Sequence, residues 1–284
     1  MNQPPHVSIS GLRFTYSDGT EAIRGVDLDI RHGERIGLAG ENGCGKTTLC
    51  KHMNGLLSPS EGRITVDGMD ASRMRTPEIA GKVGYLFQNP DHQLFCSTVY
   101  DEVAFGLRNI GLDDGNIKRR TERYLGMLGI DNLSSVTPLT LSLGERRLVT
   151  IASILAMEQE LLILDEPVAW LDAKQTAVVA NAIKQAGREG RTTISVSHNM
   201  KFMAELTDRL IVMSQGRIIL DGNTKDIVSD PAAMSRAGLV SPPVSLLTES
   251  IKGAVQFTRK VATNEDFVGC LRDSRIGGGA HGAR

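Results

Sequence analysis

Apolar residues recur along this chain with two periods. Alternating or continuous apolar runs at VSISGLRFTY, AIRGVDLDI and ERIGLAG predict three strands, and Gly-rich GENGCG then leads into the helix-compatible KTTLCKHMNGL. GRITVDG and KVGYLFQ predict two more strands, the first closed by an Asp-Gly turn. Between residues 97 and about 157 the period lengthens, and STVYDEVAFGLRNI, GNIKRRTERYLGMLG and SLGERRLVTIASILAM read as a helical insertion. The strand LLILD, a helix from Asp172 to about Gly187, the strand TTISVS, a short helix and the strands RLIVM and RIIL follow. Strands alternating with helices predict an α/β fold with a mostly parallel sheet core covered on both faces, preceded by an N-terminal antiparallel β part. This unit is placed at residues 1–230. Residues 231–284 form a C-terminal extension, in which PAAMSRAGLVSPPVSLLTESI can pack a short helix or two and the last ten or so residues, in SRIGGGAHGAR, read as a disordered end.

Composition narrows the class. With 284 residues and 40% hydrophobic content, the chain can bury a sizeable core in one or two domains. Lys and Arg number 32 against 33 Asp and Glu, which leaves a net charge of -1 and disfavours nucleic acid as a partner. An aromatic content of 4% argues against a base-stacking platform. The KRR at 118–120 reads as a solvated helix face. Cys44, Cys50, Cys96 and Cys270 show no CxxC spacing, so neither a zinc site nor a disulfide framework is indicated and a reducing cytoplasm fits. No leader and no run near the ~18 apolar residues of a membrane span is apparent, so any membrane role is expected to come through a partner. Each motif occurs once.

GENGCGKT, residues 40–47, has the pattern G-x-x-x-x-G-K-[ST] between a predicted strand and a predicted helix. Gly40, Gly43 and Gly45 let backbone N–H groups curl around phosphate oxygens, with Asn42 inside the loop and Thr48 just after it. The helix N-terminus adds its dipole, Lys46 a point charge and the Thr47 hydroxyl a ligand for Mg²⁺. Cys44 lies inside this loop, and its alkylation is expected to block nucleotide binding. LLILDEP, residues 161–167, is an apolar strand ending in two carboxylates. Asp165 suits a metal at the strand's C-terminal end, and Glu166 can polarise an attacking water. Loop and acid pair together describe a nucleoside triphosphatase.

With these residues the chain resembles the ATP-binding cassette (ABC) family over about residues 6–230. LSLGE at 141–145 is similar to the family's signature, Gln88 to its Q-loop glutamine, Ala169–Asp172 to its D-loop and His198 to its switch histidine. Tyr16, in RFTYSDG, is similar to the aromatic that stacks on adenine. Ser142 and Glu145 also form a capping box, a reading compatible with an anion site. The resemblance implies a P-loop NTPase fold, ATP and Mg²⁺ as ligands, and a head-to-tail dimer, either with itself or with a sister ATPase. Across that dimer Ser142, Gly144 and Glu145 of the signature and Asp172 of the D-loop would meet the ATP of the other cassette. It further implies Glu166 as catalytic base, His198 on the γ-phosphate, and Gln88 with Asp165 attending Mg²⁺ and water.

FQNPDHQLF, residues 87–95, followed by STVYDEVAFGL, resembles the ATPase subunits of energy-coupling factor importers and of cobalt and nickel uptake systems. The Asn89-Pro90 turn breaks the strand because proline cannot continue a ladder; the plainer alternative for residues 89–95 is a connecting loop with Leu94 and Phe95 packed beneath it as apolar anchors. In that family the junction docks a transmembrane coupling subunit, which works with a small substrate-binding membrane subunit. The resemblance thus places the chain as a peripheral ATPase at the cytoplasmic face of the cell membrane, with the tail supporting dimer contacts. His92 lacks a second ligand at metal spacing. A soluble ABC ATPase of non-transport function and a non-hydrolysing nucleotide-sensing partner are the alternatives. The chain departs from the family pattern at Leu143 and Leu148, where glycine and arginine are usual, and in the D-loop, where VAWLD replaces TAGLD and sets Trp170 at the expected interface.

Overall fold

The computed structural model describes residues 4–252, 257 and 259–277. The chain runs β1 (Val7–Thr15), β2 (Glu21–Ile30), β3 (Arg35–Gly40), α1 (Lys46–Met53), β4 (Glu61–Val66), β5 (Met69–Asp70), α2 (Thr76–Lys82) and β6 (Val83–Leu86). Three helices follow, α3 (Val99–Asn109), α4 (Asp114–Leu128) and α5 (Leu143–Met157). The chain then returns through β7 (Leu161–Asp165), α6 (Ala173–Arg188), β8 (Thr192–Val196), α7 (Met200–Leu206), β9 (Arg209–Ser214) and β10 (Arg217–Asn223). It closes with α8 (Thr224–Val228), α9 (Pro231–Arg236), α10 (Pro243–Ile251) and α11 (Asn264–Gly277).

Two sheets result. The first is antiparallel in the order β2-β1-β4-β5, and the second runs β10-β9-β3-β8-β7-β6, parallel from β9 to β6 with β10 antiparallel at the edge. All five residues of β7 and of β8 are buried, as strands covered on both faces require, with Asp165 at the end of β7 the one charged residue among them. β10 alternates between exposed and half-buried residues, the mark of an edge strand with one wet face.

Residues 99–157 carry α3, α4 and α5, and each of these helices starts on a side-chain cap. The Thr98, Asp113 and Ser142 oxygens accept from the backbone N–H groups of Asp101, Asn116 and Glu145 at the starts of α3, α4 and α5. Leu107, Leu125 and Leu155 interlock at the centre of these helices. Arg120 of the KRR run is no free surface charge, because its guanidinium pairs with Glu158 at 3.0 Å. α2 and α11 are helices that the sequence pattern did not predict. α11 continues through Ser274–Gly277, so the first four residues of SRIGGGAHGAR are helical where a disordered end was expected, and 278–284 lie outside the described residues. Met234, Ala237 and Leu239 of the extension share a buried cluster with Ala39, Met203 and Val212. Among the described residues no helix is long and apolar enough to cross a membrane.

Candidate nucleotide site

The loop from β3 to α1 is shaped by glycines. Gly40, Gly43 and Gly45 hold φ of 143, 76 and 107°, and a β-carbon at Gly45 would stand 2.6 Å from the Ala22 carbonyl oxygen. A β-carbon at Gly43 would meet nothing within 4 Å, so there the loop faces open space. The Lys46 ammonium bends back and donates to the Gly40 and Glu41 carbonyl oxygens at 2.8 Å each. Cys44 points inward at 5% exposure with its Sγ 3.8 Å from Lys46 Nζ, so an alkylating reagent reaches it only when the loop opens.

β3 and β7 both flank β8, which brings the loop beside the acidic pair. Thr47 Oγ1 donates to Asp165 Oδ2 at 2.9 Å. Burial pushes the Asp165 carboxyl above its ordinary range, against the pull of Thr47, Arg147 and Lys46. Glu166 stands at φ 48°, and its N–H donates to the Val196 carbonyl oxygen at 2.9 Å. Its carboxylate accepts from Ser197 Oγ at 2.9 Å and from the His198 N–H at 3.1 Å, with His198 Nε2 at 3.7 Å.

One cleft of about 350 Å³ gathers Asn42, Gly43, Gly45, Lys46, Thr47 and Thr48 on its loop side. Gln88, Asp165, Glu166, His198 and Tyr16 line the same cleft. The Tyr16 hydroxyl lies 2.9 Å from Thr48 Oγ1, and its ring meets Phe14 edge-on at 4.8 Å. Thr20, Ala22 and Val196 complete the lining and carry no motif.

Ser142, Gly144, Glu145 and Asp172 lie outside this cleft. Ser142 and Glu145 do form the predicted box, the Glu145 N–H donating to Ser142 Oγ at 3.3 Å and the Ser142 N–H to Glu145 Oε2 at 2.9 Å. Those bonds hold the Glu145 carboxyl below its ordinary range. Asp172 caps α6 by accepting from the Gln175 N–H at 2.7 Å.

Arg147 is the residue that sequence reasoning missed. It is fully buried and its guanidinium donates to the carbonyl oxygens of Phe87, Gln88, Asp165 and Glu166, the last at 2.6 Å. Burial pushes its pKa down to about 10, so the charge persists at neutral pH. Its signal was its position on the stripe with Ile151 and Leu155, both buried. At the neighbouring turn, Leu94 is buried, but Phe95, which the plain connecting-loop alternative would also bury, is 63% exposed and stacks edge-on with Phe105 at 4.7 Å. The buried Glu102 carboxylate accepts from the Phe95 and Cys96 N–H groups and turns that backbone outward.

Comparison with known proteins agrees with this geometry. The chain matches the ABC transporter family over residues 23–169, from β2 through the loop, Gln88, the signature and the acid pair. The chain belongs to the ABC transporter ATPase family. It is 39% identical over 255 residues to the energy-coupling factor transporter ATP-binding protein EcfA2 of Clostridium tetani, covering 87% of this chain and 88% of that one. It is 40% identical over 265 residues to an ABC transporter ATP-binding protein of Methanosarcina acetivorans, covering 93% of this chain. The chain spans about two fifths of the length of that relative and of two other curated relatives. Among solved structures, cbiO1 from Clostridium perfringens, part of the ABC transporter complex cbiONQ, superposes with a TM-score of 0.73 at 35% identity over 87% of this chain and 99% of that one.

The ABC cassette departs from its family pattern in ways the structure explains in part. Leu148 is 3% exposed in the insertion's core, while the adjacent Arg147 reaches the carbonyls beside the cleft. Leu143 is 46% exposed on the first turn of α5. Trp170 is 49% exposed and holds φ 64°, a conformation that favours glycine, the residue usual there. Its carbonyl oxygen would stand 3.1 Å from a β-carbon at Gly144, so signature and D-loop touch within one chain.

Proposed function

We propose that this ABC cassette hydrolyses ATP as one half of a head-to-tail dimer and powers a membrane importer for a transition metal ion, cobalt or nickel, or for a vitamin. The observation that carries the hydrolytic reading is the placing of Glu166, whose carboxylate is oriented by Ser197 and His198 beside the Thr47–Asp165 pair. The glycine loop fits a polyphosphate, because Gly43 fronts open space and Lys46 stands over the loop. Thr47, Asp165 and Gln88 would hold Mg²⁺, whose charge offsets that developing on the phosphate oxygens. Lys46 and the loop N–H groups orient the phosphates. Glu166 accepts the proton of the attacking water, and His198, exposed at the cleft, donates to the terminal phosphate. Tyr16 stacks on adenine. Ser142, Gly144, Glu145 and Asp172, outside this chain's own cleft, serve the ATP of the second cassette, whether a copy or a sister subunit.

The import reading rests on relatives. EcfA2 is named for an energy-coupling factor transporter and cbiO1 for the complex cbiONQ. By that likeness the chain docks peripherally, at the cytoplasmic face of the cell membrane, on a transmembrane coupling subunit that works with a small substrate-binding subunit. The exposed Phe95–Phe105 pair beside the Gln88 turn suits such a contact.

Glu166→Gln tests the chemistry: ATP binding is retained and turnover falls by on the order of 10²–10⁴. Substantial residual turnover with bound ATP would remove Glu166 from the role of base. Purification of tagged chain from native membranes in mild detergent, with mass spectrometry of proteins and small ligands, tests the importer. Recovery of two membrane proteins and a cargo supports it, and recovery of soluble partners alone, from intact membranes, shifts the reading to a soluble ABC ATPase.

A further inference from the structure

Far from the nucleotide cleft, four residues meet where the two sheets begin or end. β1 pairs with β2 and with β4 in a register that sets Val7 opposite both Ile30 and Val66. His6, just before β1, therefore neighbours His32, just beyond β2, and Asp67, just after β4. Asp67 holds φ 49° in the Asp-Gly turn into β5 and donates its N–H to the His6 carbonyl oxygen at 2.9 Å. Glu160 comes from the other sheet, immediately before β7, whose first residue Leu161 pairs with Thr192. β7 carries Asp165 and Glu166 at its opposite end, about 17 Å away at the usual rise of a strand.

One ligating atom from each of His6, His32, Asp67 and Glu160 lies within 4.8 Å of the others. His6 Nε2 and His32 Nε2 stand 3.5 and 3.6 Å from Asp67 Oδ1. Two ligands on a tetrahedral zinc ion, with bonds of about 2.0–2.2 Å, stand about 3.4 Å apart, so these distances suit a shared cation. The two imidazoles stack with centroids 4.0 Å apart and planes at 9°, each with its Nε2 near Asp67 Oδ1.

The second observation is what this cluster lacks. His6 is fully buried, yet neither its Nε2 nor Asp67 Oδ1 has a hydrogen-bond partner. Buried polar atoms left unpaired cost free energy, and two of them face each other here. Their companions on the same side chains are engaged. His6 Nδ1 lies 2.7 Å from Thr192 Oγ1, which also accepts from the Gly33 N–H at 2.9 Å, and Asp67 Oδ2 accepts from Lys82 Nζ at 2.6 Å. A ring fixed through one nitrogen and free at the other is the arrangement that metal-binding histidines show. The nearby guanidinium groups of Arg123 and Arg191 pair with Glu158 and Glu189, which leaves Glu160 without an ion pair among the described residues. His32 and Glu160 open on a surface cavity of about 560 Å³, an entry path for an ion.

We propose that His6, His32, Asp67 and Glu160 form a binding site for one divalent transition-metal ion of the zinc, cobalt or nickel kind. Two imidazoles with two carboxylates form a borderline donor set that selects such ions over Mg²⁺ and Ca²⁺. The ion ties the ends of β1, β2 and β4 to the start of β7, joining the antiparallel sheet to the sheet that carries the acidic pair. The site is independent of the import reading, because it uses no residue of the nucleotide cleft and needs no membrane partner.

The test uses full-length chain without a polyhistidine tag, stripped with chelator and held without nucleotide in excess Mg²⁺, which competes for the Thr47–Asp165 site. Zn²⁺ is titrated by calorimetry, and Co²⁺ by visible absorption with Zn²⁺ as competitor. The expected result is one ion per chain, a Co²⁺ spectrum without thiolate charge transfer, and a melting temperature raised by Zn²⁺. His32→Ala and Glu160→Gln, at exposed positions where folding is retained, each weaken Zn²⁺ by about tenfold or more and abolish the melting shift. His6→Ala, at a buried position, is checked for folding by circular dichroism before titration. Absence of saturable binding overturns the proposal. So does binding undiminished in both exposed variants, or a thiolate band assigning the ion to cysteines.

Discussion

Arg146 Nη1 lies 3.0 Å from Asp91 Oδ1, and the same guanidinium donates to the Leu141 and Leu139 carbonyl oxygens at 2.9 and 2.6 Å. The first turn of the signature helix α5 is thereby fastened to the turn that follows Gln88. The pair is partly exposed, at 22% for the Arg146 side chain and 44% for Asp91. Asp91→Ala is expected to cost no more than about 1 kcal/mol of stability. A double-mutant cycle with Arg146→Met in urea unfolding should return a coupling of about 0.2–1 kcal/mol, and a coupling of zero would mean that the pair does not hold in solution.

Arg147 behaves differently because its contacts are buried. Arg147→Met leaves four carbonyl oxygens without their donor and is expected to destabilise the chain by about 3 kcal/mol or more, read from the midpoint of denaturant unfolding. Arg119→Met, on the exposed face of α4, should stay within about 0.5 kcal/mol of wild type.

Asp165 sets function against stability. Its carboxyl is raised by burial in the folded chain, so the native state holds that proton at pH values where the unfolded chain has released it. The resulting penalty is absent below the ordinary carboxylate range, grows as pH rises towards the raised value, and is complete above it. Asp165→Asn is therefore expected to be more stable than wild type at neutral pH without nucleotide, with the advantage vanishing in acid and Mg²⁺-dependent ATP binding lost. Unfolding free energies across a pH series check the sign.

Trp170 holds φ 64°, where a bulky residue is strained. Trp170→Gly is expected to gain about 1 kcal/mol in denaturant unfolding through relief of that strain. In a Glu166→Gln chain that keeps Trp170, the half-exposed indole should shift its emission when ATP closes the dimer, as its surroundings lose water. An unchanged spectrum on closure would place Trp170 away from the interface.

Local motifs were legible in the sequence for local reasons. GENGCGKT needs only glycine backbones and a following helix, and LLILDEP only an apolar strand that ends in carboxylates. The contact of His198 with Glu166 instead depends on the pairing of β7 with β8, where Asp165 meets Val196. Arg147 escaped notice because a charged side chain in a helix reads as surface until its position on the apolar stripe is counted. α2 was hidden by its length of seven residues with Pro77 near its start and Gly81 near its end, too short to show a period. The outward turn of Phe95 was not legible, because apolar character alone does not say which of two adjacent residues turns inward. That choice is made by Glu102, seven positions on. The His6, His32, Asp67 and Glu160 cluster has no ligand spacing at all, since four separate strand ends assemble it.

The buried Arg147 guanidinium also bears on how the chain acquires its shape. Its partners come from the end of β6 and the end of β7, segments separated by some eighty residues and bridged only when α5 has docked. None of the three can settle alone without stranding a charge or a set of carbonyls away from water. They therefore form a single cooperative unit that assembles all at once. Amide hydrogens near Gln88 and Glu166 should exchange through one shared opening event, although nothing in their sequence positions links them.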